Sequence, residues 1–181
     1  MSEELNLKTI TTNDPIFDDI RPCNDSEVES ELNKIISDKM VINNILKFRY
    51  PLLYKTFGFA LKPFVKAILK KKVAHIKTIK DFQDIVADFV KKMIATTTDG
   101  IELVGFDKLE KNKGYLFISN HRDISLDPAF IDIALHMTGN NTVRIAIGDN
   151  LLRMPAVTSI MRLNRSFIVK RSIEAPREKL K

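Results

Sequence analysis

The 181-residue sequence predicts an α/β domain whose sheet contains parallel stretches flanked by helices, preceded by an N-terminal helical region. Two observations predict this class. From about residue 98 onward, short apolar runs of strand length alternate with helical segments, as is typical of α/β sheets. A hydrophobic content of 44% and a charged content of 29% are those of a globular chain with a core, and we find no internal repeat.

The first 97 residues divide into a polar leader and a basic helical region. Residues 1–30 are rich in Thr, Asn, Asp, Ser and Pro, which predicts a flexible leader. Apolar residues recur at helical spacing from about Glu27 to Leu46, which predicts one helix or two short ones. Residues 47–80 hold ten Lys or Arg and no Asp or Glu, so we expect an anionic partner for the region 31–97.

One segment of this region is a candidate for membrane association. Residues 50–69 have about the length of a membrane span, but internal lysines and prolines argue against crossing a bilayer. If Pro63 begins a helix, Phe64, Ile68 and Leu69 share one side. Three lysines follow another side at four-residue spacing: Lys62, Lys66 and Lys70. Such a segment can lie on an anionic membrane surface; alternatively, its apolar side packs on the domain and the lysines are solvated.

A nucleic-acid partner is not expected for this basic region. Its aromatic residues are interleaved with aliphatic ones, as in a helix that buries them, whereas a nucleic-acid surface would expose aromatic side chains for stacking.

The remaining elements are predicted from periodicity and from turn residues. A helix from Asp81 to Ile94 begins with Thr78 and Asp81, and a second helix to about Met137 begins with the cap and first-turn pair Asp127-Pro128. A further helical segment is expected around Pro155. The predicted strands are Ile101–Val104, the buried central strand Tyr115–Ser119, Val143–Ile147 and Phe167–Val169.

Polar pairs follow three of the predicted strands: His121 with Arg122, Asp149 with Asn150, and Lys170 with Arg171. If these strands are parallel, the pairs face one crevice. A neutral imidazole can accept the proton of an attacking hydroxyl while a carboxylate orients it, and Lys or Arg can hold a phosphate. These residues therefore indicate acyl transfer to the alcohol of a phosphorylated acceptor.

The sequence lacks the residues that several other catalytic sites require. Gly100 and Gly105 have P-loop spacing, but no Lys and Ser or Thr follow them. His121-Arg122-Asp123 matches the start of a kinase catalytic loop, but the asparagine that such a loop needs later is absent. The sequence also lacks the Gly-x-Ser-x-Gly motif of serine hydrolases. The histidines have no metal-ligand spacing and Cys23 has no second cysteine to pair with, so we expect no metal and a reducing compartment.

Residues 118–127, Ile-Ser-Asn-His-Arg-Asp-Ile-Ser-Leu-Asp, resemble the first motif of the glycerolipid acyltransferases, which include glycerol-3-phosphate and 1-acylglycerol-3-phosphate acyltransferases. Residues 148–152 and 163–172 are similar to the second block of that family, and residues 101–109 are similar to the strand and turn before its first motif. The resemblance covers roughly residues 98–173 and implies an acyltransferase-type sheet in residues 98–181.

The resemblance also implies roles for individual residues. His121 would be the general base and Asp127 its orienting carboxylate. Asp123 is the alternative carboxylate, because the family spacing of five residues after the histidine falls on Leu126, between the two aspartates. The substrate-binding cations would be Arg122, Lys170 and Arg171. The resemblance implies no cofactor; the acyl donor would be a thioester of coenzyme A or acyl carrier protein, and the acceptor would be glycerol-3-phosphate or 1-acylglycerol-3-phosphate, in phospholipid synthesis.

Two departures from the family pattern shape the remaining expectations. Asn164, Arg165 and Ser166 stand where the second block usually begins with glycine. The third and fourth motifs of the family do not occur before Lys181, so we expect a truncated chain and, as the alternative function, a catalytically silent membrane-binding fragment that recognises anionic lipid. Since residues 1–13 lack a secretory signal pattern, the predicted location is peripheral, on the cytoplasmic face of the membrane.

Overall fold

The structure, a computed structural model, describes residues 14–111, 113–119 and 122–171. Six α-helices and one pair of strands account for most of these residues. The helices are α1 Val28–Ser37, α2 Lys39–Arg49, α3 Pro51–Val73, α4 Ile79–Thr97, α5 Leu126–Met137 and α6 Pro155–Leu163. The strands are β1 Ala146–Gly148 and β2 Phe167–Val169, and short 3-10 turns cover Pro15–Phe17, Asp25–Glu27, Phe106–Lys108 and Asp149–Leu151.

Strands β1 and β2 are parallel, with Ala146 opposite Phe167 and Gly148 opposite Val169. Helix α6 connects them, which forms one β-α-β unit. The prediction of a strand at Phe167–Val169 is confirmed, and the strand predicted at Val143–Ile147 is present but displaced toward Gly148. The described residues are therefore α/β in the coarse sense, with far more helix than sheet.

Two of the predicted strands are wrong. Neither Ile101–Val104 nor Tyr115–Ser119 forms a strand in the described chain, and the segment predicted as the buried central strand exposes 85% of Leu116 and 87% of Ile118. The apolar run favours an extended backbone, but a strand also needs a neighbour to exchange hydrogen bonds with. Strands β1 and β2 pair only with each other among the described residues, so this segment has no such neighbour.

The helical segment predicted from about Glu27 to Leu46 is present, and it forms two short helices, α1 and α2, instead of one. The break falls at Asp38, whose carboxylate accepts hydrogen bonds from the backbone N–H groups of Met40 and Val41 at 2.7 and 3.2 Å and so begins α2. Helix α2 then packs on α3, where Ile42 and Leu46 are buried against Val65.

Helix α3 is longer than predicted. Pro51 occupies its first turn, where a missing N–H has no cost, and Pro63 lies inside the helix. The condition that Pro63 begins a helix is therefore not met. Among the described residues, no helix is both long and apolar enough to span a bilayer.

Helix α4 forms where the periodicity predicts it. The Thr78 hydroxyl accepts a hydrogen bond from the Asp81 N–H at 3.1 Å, and the Asp81 carboxylate accepts one from the Thr78 N–H at 2.9 Å. This reciprocal capping box satisfies two N–H groups at the start of the helix. The inner face of α4 buries Phe82 in one apolar cluster and Val90 in another, so the helix joins the N-terminal helices to α5.

The N-terminal segment packs beside the strand pair from Asp14 onward. The Ile20 carbonyl accepts a hydrogen bond from the Ile168 N–H at 2.8 Å, and the Cys23 N–H donates to the Arg162 carbonyl at 3.1 Å. Cys23 is buried with Leu163, and this burial raises the pKa of its thiol to about 11. This part of the stretch predicted as a flexible leader is thus hydrogen-bonded to β2 and α6.

Candidate active site

The candidate site lies around the turn that leads into α5. His121, the predicted base, lies outside the described residues, which begin again with Arg122. In the first turn of α5, Asp127 is half-buried, and its Oδ2 accepts hydrogen bonds from the backbone N–H groups of Arg122 and Asp123 at 2.9 and 3.0 Å. Asp127 therefore fixes the two residues that directly follow His121.

Asp123 has a different structural role. Its Oδ1 accepts hydrogen bonds from the N–H groups of Ser125 and Leu126 at 2.8 and 2.7 Å, and these bonds lower the pKa of the carboxyl, with the bond from Leu126 the main cause. Asp123 therefore provides an acceptor for the N–H groups of the N-cap residue Ser125 and of the first helical residue Leu126. The prediction that Asp127 caps α5 is wrong: its carboxylate bonds to the turn upstream of the helix.

The two aspartates together form a small hydrogen-bonded loop before α5. Each uses one carboxylate oxygen on backbone N–H groups, Asp127 on the residues before the helix and Asp123 on the residues that start it. Among the described residues, both side-chain hydrogen bonds to the Asp127 carboxylate go to its Oδ2 and none goes to its Oδ1. A carboxylate held in this way can fix both the orientation and the tautomer of an imidazole.

The carboxyl ends of β1 and β2 bring together two of the residues predicted at strand ends. The backbone N–H of Arg171 donates to Oδ1 of Asp149 at 3.0 Å. The Arg171 side chain lies across Gly148, where an added Cβ would lie 3.2 Å from its Nε and 2.5 Å from Oδ1 of Asn150. The absence of a side chain at Gly148 therefore allows the guanidinium to lie at this edge of the sheet.

Lys170 contacts a different part of the chain from Arg171. Its ammonium group forms an ion pair with Asp19 of the N-terminal segment, which lowers the pKa of that carboxyl. Arg122, the third predicted cation, is exposed beside the Asp127 carboxylate that binds its N–H. Among the described residues, no cluster of His, Cys, Asp and Glu side chains has the arrangement of a metal site.

Residues 100–181 match the family model described as Acyltransferase. The match includes the turn with Asp123 and Asp127, helix α5, and the β1-α6-β2 unit that carries Arg171. It supports the acyltransferase superfamily and an acyltransferase enzyme class for this part of the chain. No match was found among curated proteins or among solved structures.

The region that matches the Acyltransferase model also contains three residues that sequence reasoning missed. Arg144 and Arg165 line a cavity at the opposite ends of the two strands, and Asp132 is buried in α5 with a pKa that burial raises to about 6. A signal for one of them was present in the sequence, since Arg165 falls in the tripeptide that replaces an expected glycine. The environments of Asp132 and Arg144 depend on how α5 packs against residues 142–144. Local sequence patterns do not reveal this packing.

Proposed function

We propose that this protein transfers an acyl group from a thioester of coenzyme A or acyl carrier protein to a hydroxyl of glycerol-3-phosphate or 1-acylglycerol-3-phosphate. One observation carries the proposal. Within the region that matches the Acyltransferase model, the Asp127 carboxylate binds the backbone directly after a histidine, and no described residue donates to its second oxygen. A histidine with an orienting carboxylate is the arrangement that base-catalysed attack by a hydroxyl requires.

In the proposed mechanism, Nε2 or Nδ1 of His121 accepts the proton of the acceptor hydroxyl as its oxygen attacks the thioester carbonyl. The tetrahedral intermediate then expels the thiolate, which takes the proton back from the imidazolium. Asp127 orients the ring and stabilises the imidazolium while the proton is held there. The base returns to its starting state, so the reaction needs no further cofactor.

Arg171 is the best candidate for the acceptor phosphate. Its main chain is tied to Asp149, and its guanidinium lies at the carboxyl edge of the parallel strands, where ligands of α/β sheets bind. A guanidinium can also form two parallel hydrogen bonds to a phosphate. Arg122 is a second candidate, since it directly follows His121, whereas the Lys170 ammonium is already paired with Asp19.

The proposal is tested by transfer of labelled acyl groups from acyl-coenzyme A and from acyl carrier protein to both acceptors. We expect His121→Ala to lower the rate by roughly 10²- to 10⁴-fold, the usual contribution of a general base. His75→Ala is the matched control, because His75 is exposed and lies outside the family match. Undiminished transfer by a folded His121→Ala variant refutes the assignment.

A second candidate function, binding to an anionic membrane surface, is favoured by exposed apolar side chains on α2 and α3. Phe48 is 90% exposed and Phe64 is 63% exposed, and Leu52 and Ile68 also face solvent. This disfavours the alternative in which the apolar side of the basic segment packs on the domain, although Leu69 does pack there. Apolar groups among lysines suit the headgroup region of the cytoplasmic leaflet, where a peripheral enzyme would meet lipid substrates.

Vesicle binding tests this second function and separates it from catalysis. Changing both Lys66 and Lys70 to Gln should weaken binding to anionic vesicles by roughly 10- to 30-fold, since each lysine near the surface contributes about 1 kcal/mol. Changing Lys92 and Lys111 to Gln removes equal charge from exposed sites elsewhere and serves as the control. Equal effects of the two pairs exclude a docking role for α3, and binding without any acyl transfer favours the catalytically silent alternative.

A further inference from the structure

A cavity of about 730 Å³ opens at the amino ends of β1 and β2. Its walls come from the N-terminal segment, the start of α4, the end of α5 and the residues that enter the two strands. Arg144 and Arg165 precede the strands, whereas Asp149 and Arg171 follow them, so this cavity and the candidate active site lie at opposite edges of the pair. The volume is that of a small-molecule site.

Two cations in this cavity form no ion pair with a carboxylate of the described residues, although Asp132 attracts one of them, Arg165, from a longer distance. Arg21 and Lys80 also line it, but each is neutralised by carboxylates, Arg21 by Glu27 at 2.6 Å and Lys80 by Asp84 at 2.9 Å. Within the described parts of the chain, Arg144 and Arg165 form no ion pair. The cavity therefore contains two positive charges that an anion could neutralise.

The guanidinium of Arg165 is held in an unfavourable environment. It is half-buried, and burial, followed by the charge of Arg144, lowers its pKa, against a smaller attraction from Asp132. Its Nη1 lies 3.5 Å from the Thr142 hydroxyl oxygen, which also accepts a shorter hydrogen bond from Gln83. A partly desolvated cation beside a like charge costs free energy unless a ligand supplies the opposite charge.

The backbone of Arg165 provides an independent observation. Its φ of 60° lies in the left-handed region, and no other non-glycine residue among those described has a positive φ. Glycine adopts this conformation without cost, whereas an L-residue loses about 1–2 kcal/mol. An arginine at this turn thus combines backbone strain with charge repulsion, and such combinations occur where a side chain has a function.

We propose that the cavity binds a small phosphorylated organic molecule, with its phosphoryl group between Arg144 and Arg165. Guanidinium groups match phosphate oxygens with paired hydrogen bonds, which suits two arginines that precede neighbouring strands and line one cavity. Phe17, Ile20 and Phe167 line the same cavity and provide apolar surface for the remainder of the molecule. This site is separate from the proposed acyl transfer and does not depend on it.

Titration calorimetry on the full chain tests the proposal with three probes: inorganic phosphate, glycerol-3-phosphate and adenosine 3′,5′-bisphosphate. We expect at least one organic phosphate to bind more tightly than inorganic phosphate. Arg165→Gly should reduce its affinity by roughly 10- to 100-fold, the effect of losing one charge-assisted hydrogen-bonding group. Because glycine favours the conformation at this turn, the variant removes the cation without removing the fold.

Arg144→Gln supplies a second test that leaves the turn unchanged, and we expect a similar loss of affinity. Arg153→Gln is the control, since Arg153 is an exposed arginine that does not line the cavity, and it should bind as the wild type does. The preferred probe distinguishes a nucleotide from a glycerol phosphate. The proposal is overturned if no probe binds the wild type at millimolar concentration, or if folded Arg165→Gly and Arg144→Gln retain full affinity.

Discussion

The two aspartates after His121 can be separated by a matched pair of substitutions, Asp127→Asn and Asp123→Asn. Both replace a carboxylate by an amide of the same shape, and the amide oxygen can still accept the backbone hydrogen bonds that each aspartate receives. The change therefore removes charge while it preserves the loop before α5. If Asp127 orients the catalytic imidazole, only the first substitution should affect the rate strongly.

The expected magnitudes follow from the contacts. Asp127 accepts two backbone hydrogen bonds, and converting them from charged to neutral should lower the free energy of unfolding by about 1–2 kcal/mol. Asp123 also accepts two backbone hydrogen bonds that lower its pKa, so Asp123→Asn should destabilise the protein as well. An imidazole without its orienting carboxylate loses on the order of 10²- to 10⁴-fold in rate, and we expect this loss for Asp127→Asn alone.

The measurement combines urea denaturation with steady-state acyl transfer at saturating donor. Asp123→Ala and Asp127→Ala complete the set, and Asp123→Ala should lower stability by removing two hydrogen bonds at the start of α5 without a large effect on the rate. A large rate loss in Asp123→Asn, with near-normal rates in Asp127→Asn, would refute the assignment and make Asp123 the orienting carboxylate. Small effects in both variants would exclude a carboxylate-oriented histidine altogether.

Two further predictions concern Asp132 and Gly148. Burial raises the pKa of Asp132 from 3.8 to about 6, so the folded state binds the extra proton between these values; stability therefore increases as pH falls through about 6 toward 4. Asp132→Asn should make the free energy of unfolding less dependent on pH and should stabilise the protein at neutral pH by up to about 3 kcal/mol. Chemical denaturation across this pH range checks the prediction, and a pH profile equal to that of the wild type contradicts it. Gly148→Ala places a Cβ close to the Arg171 side chain. Steady-state kinetics should then show a several-fold higher KM for the phosphorylated acceptor at nearly constant kcat. An unchanged KM would show that Arg171 does not bind the acceptor.

Local patterns predicted the elements that local interactions determine. Helix α4 combines a capping box with a regular apolar stripe, so both its start and its buried face could be predicted from the sequence. The strand at Tyr115–Ser119 was predicted wrongly because its apolar run says nothing about a pairing partner. Asp127 was predicted as a cap for a similar reason: its spacing fits a helix start, but its hydrogen bonds go to the preceding turn.

The cavity residues were missed because their significance depends on contacts between distant segments. Arg165 is one more arginine in a basic chain until the fold places it in a strained turn beside Arg144. Asp132 is likewise an ordinary helix residue until its Oδ1 accepts a hydrogen bond from the Val143 N–H at 3.0 Å, inside the packing of α5. The missing glycine before β2 was the one sequence signal, and it pointed to turn geometry without indicating a ligand.

Under the two proposals, the β1-α6-β2 unit would bind a different anion at each edge of its strand pair. Arg165 and Arg171 lie at opposite ends of β2, and Arg165 shares the amino edge with Arg144 while Arg171 is tied to Asp149 at the carboxyl edge. Strand residues advance about 3.3 Å each, so a single phosphate does not reach from one edge to the other. The two proposals are therefore independent. If Arg165→Gly loses phosphate binding, the acyl-transfer role proposed for Asp127 is not affected. If the protein fails to transfer acyl groups, the proposal for the cavity is not affected.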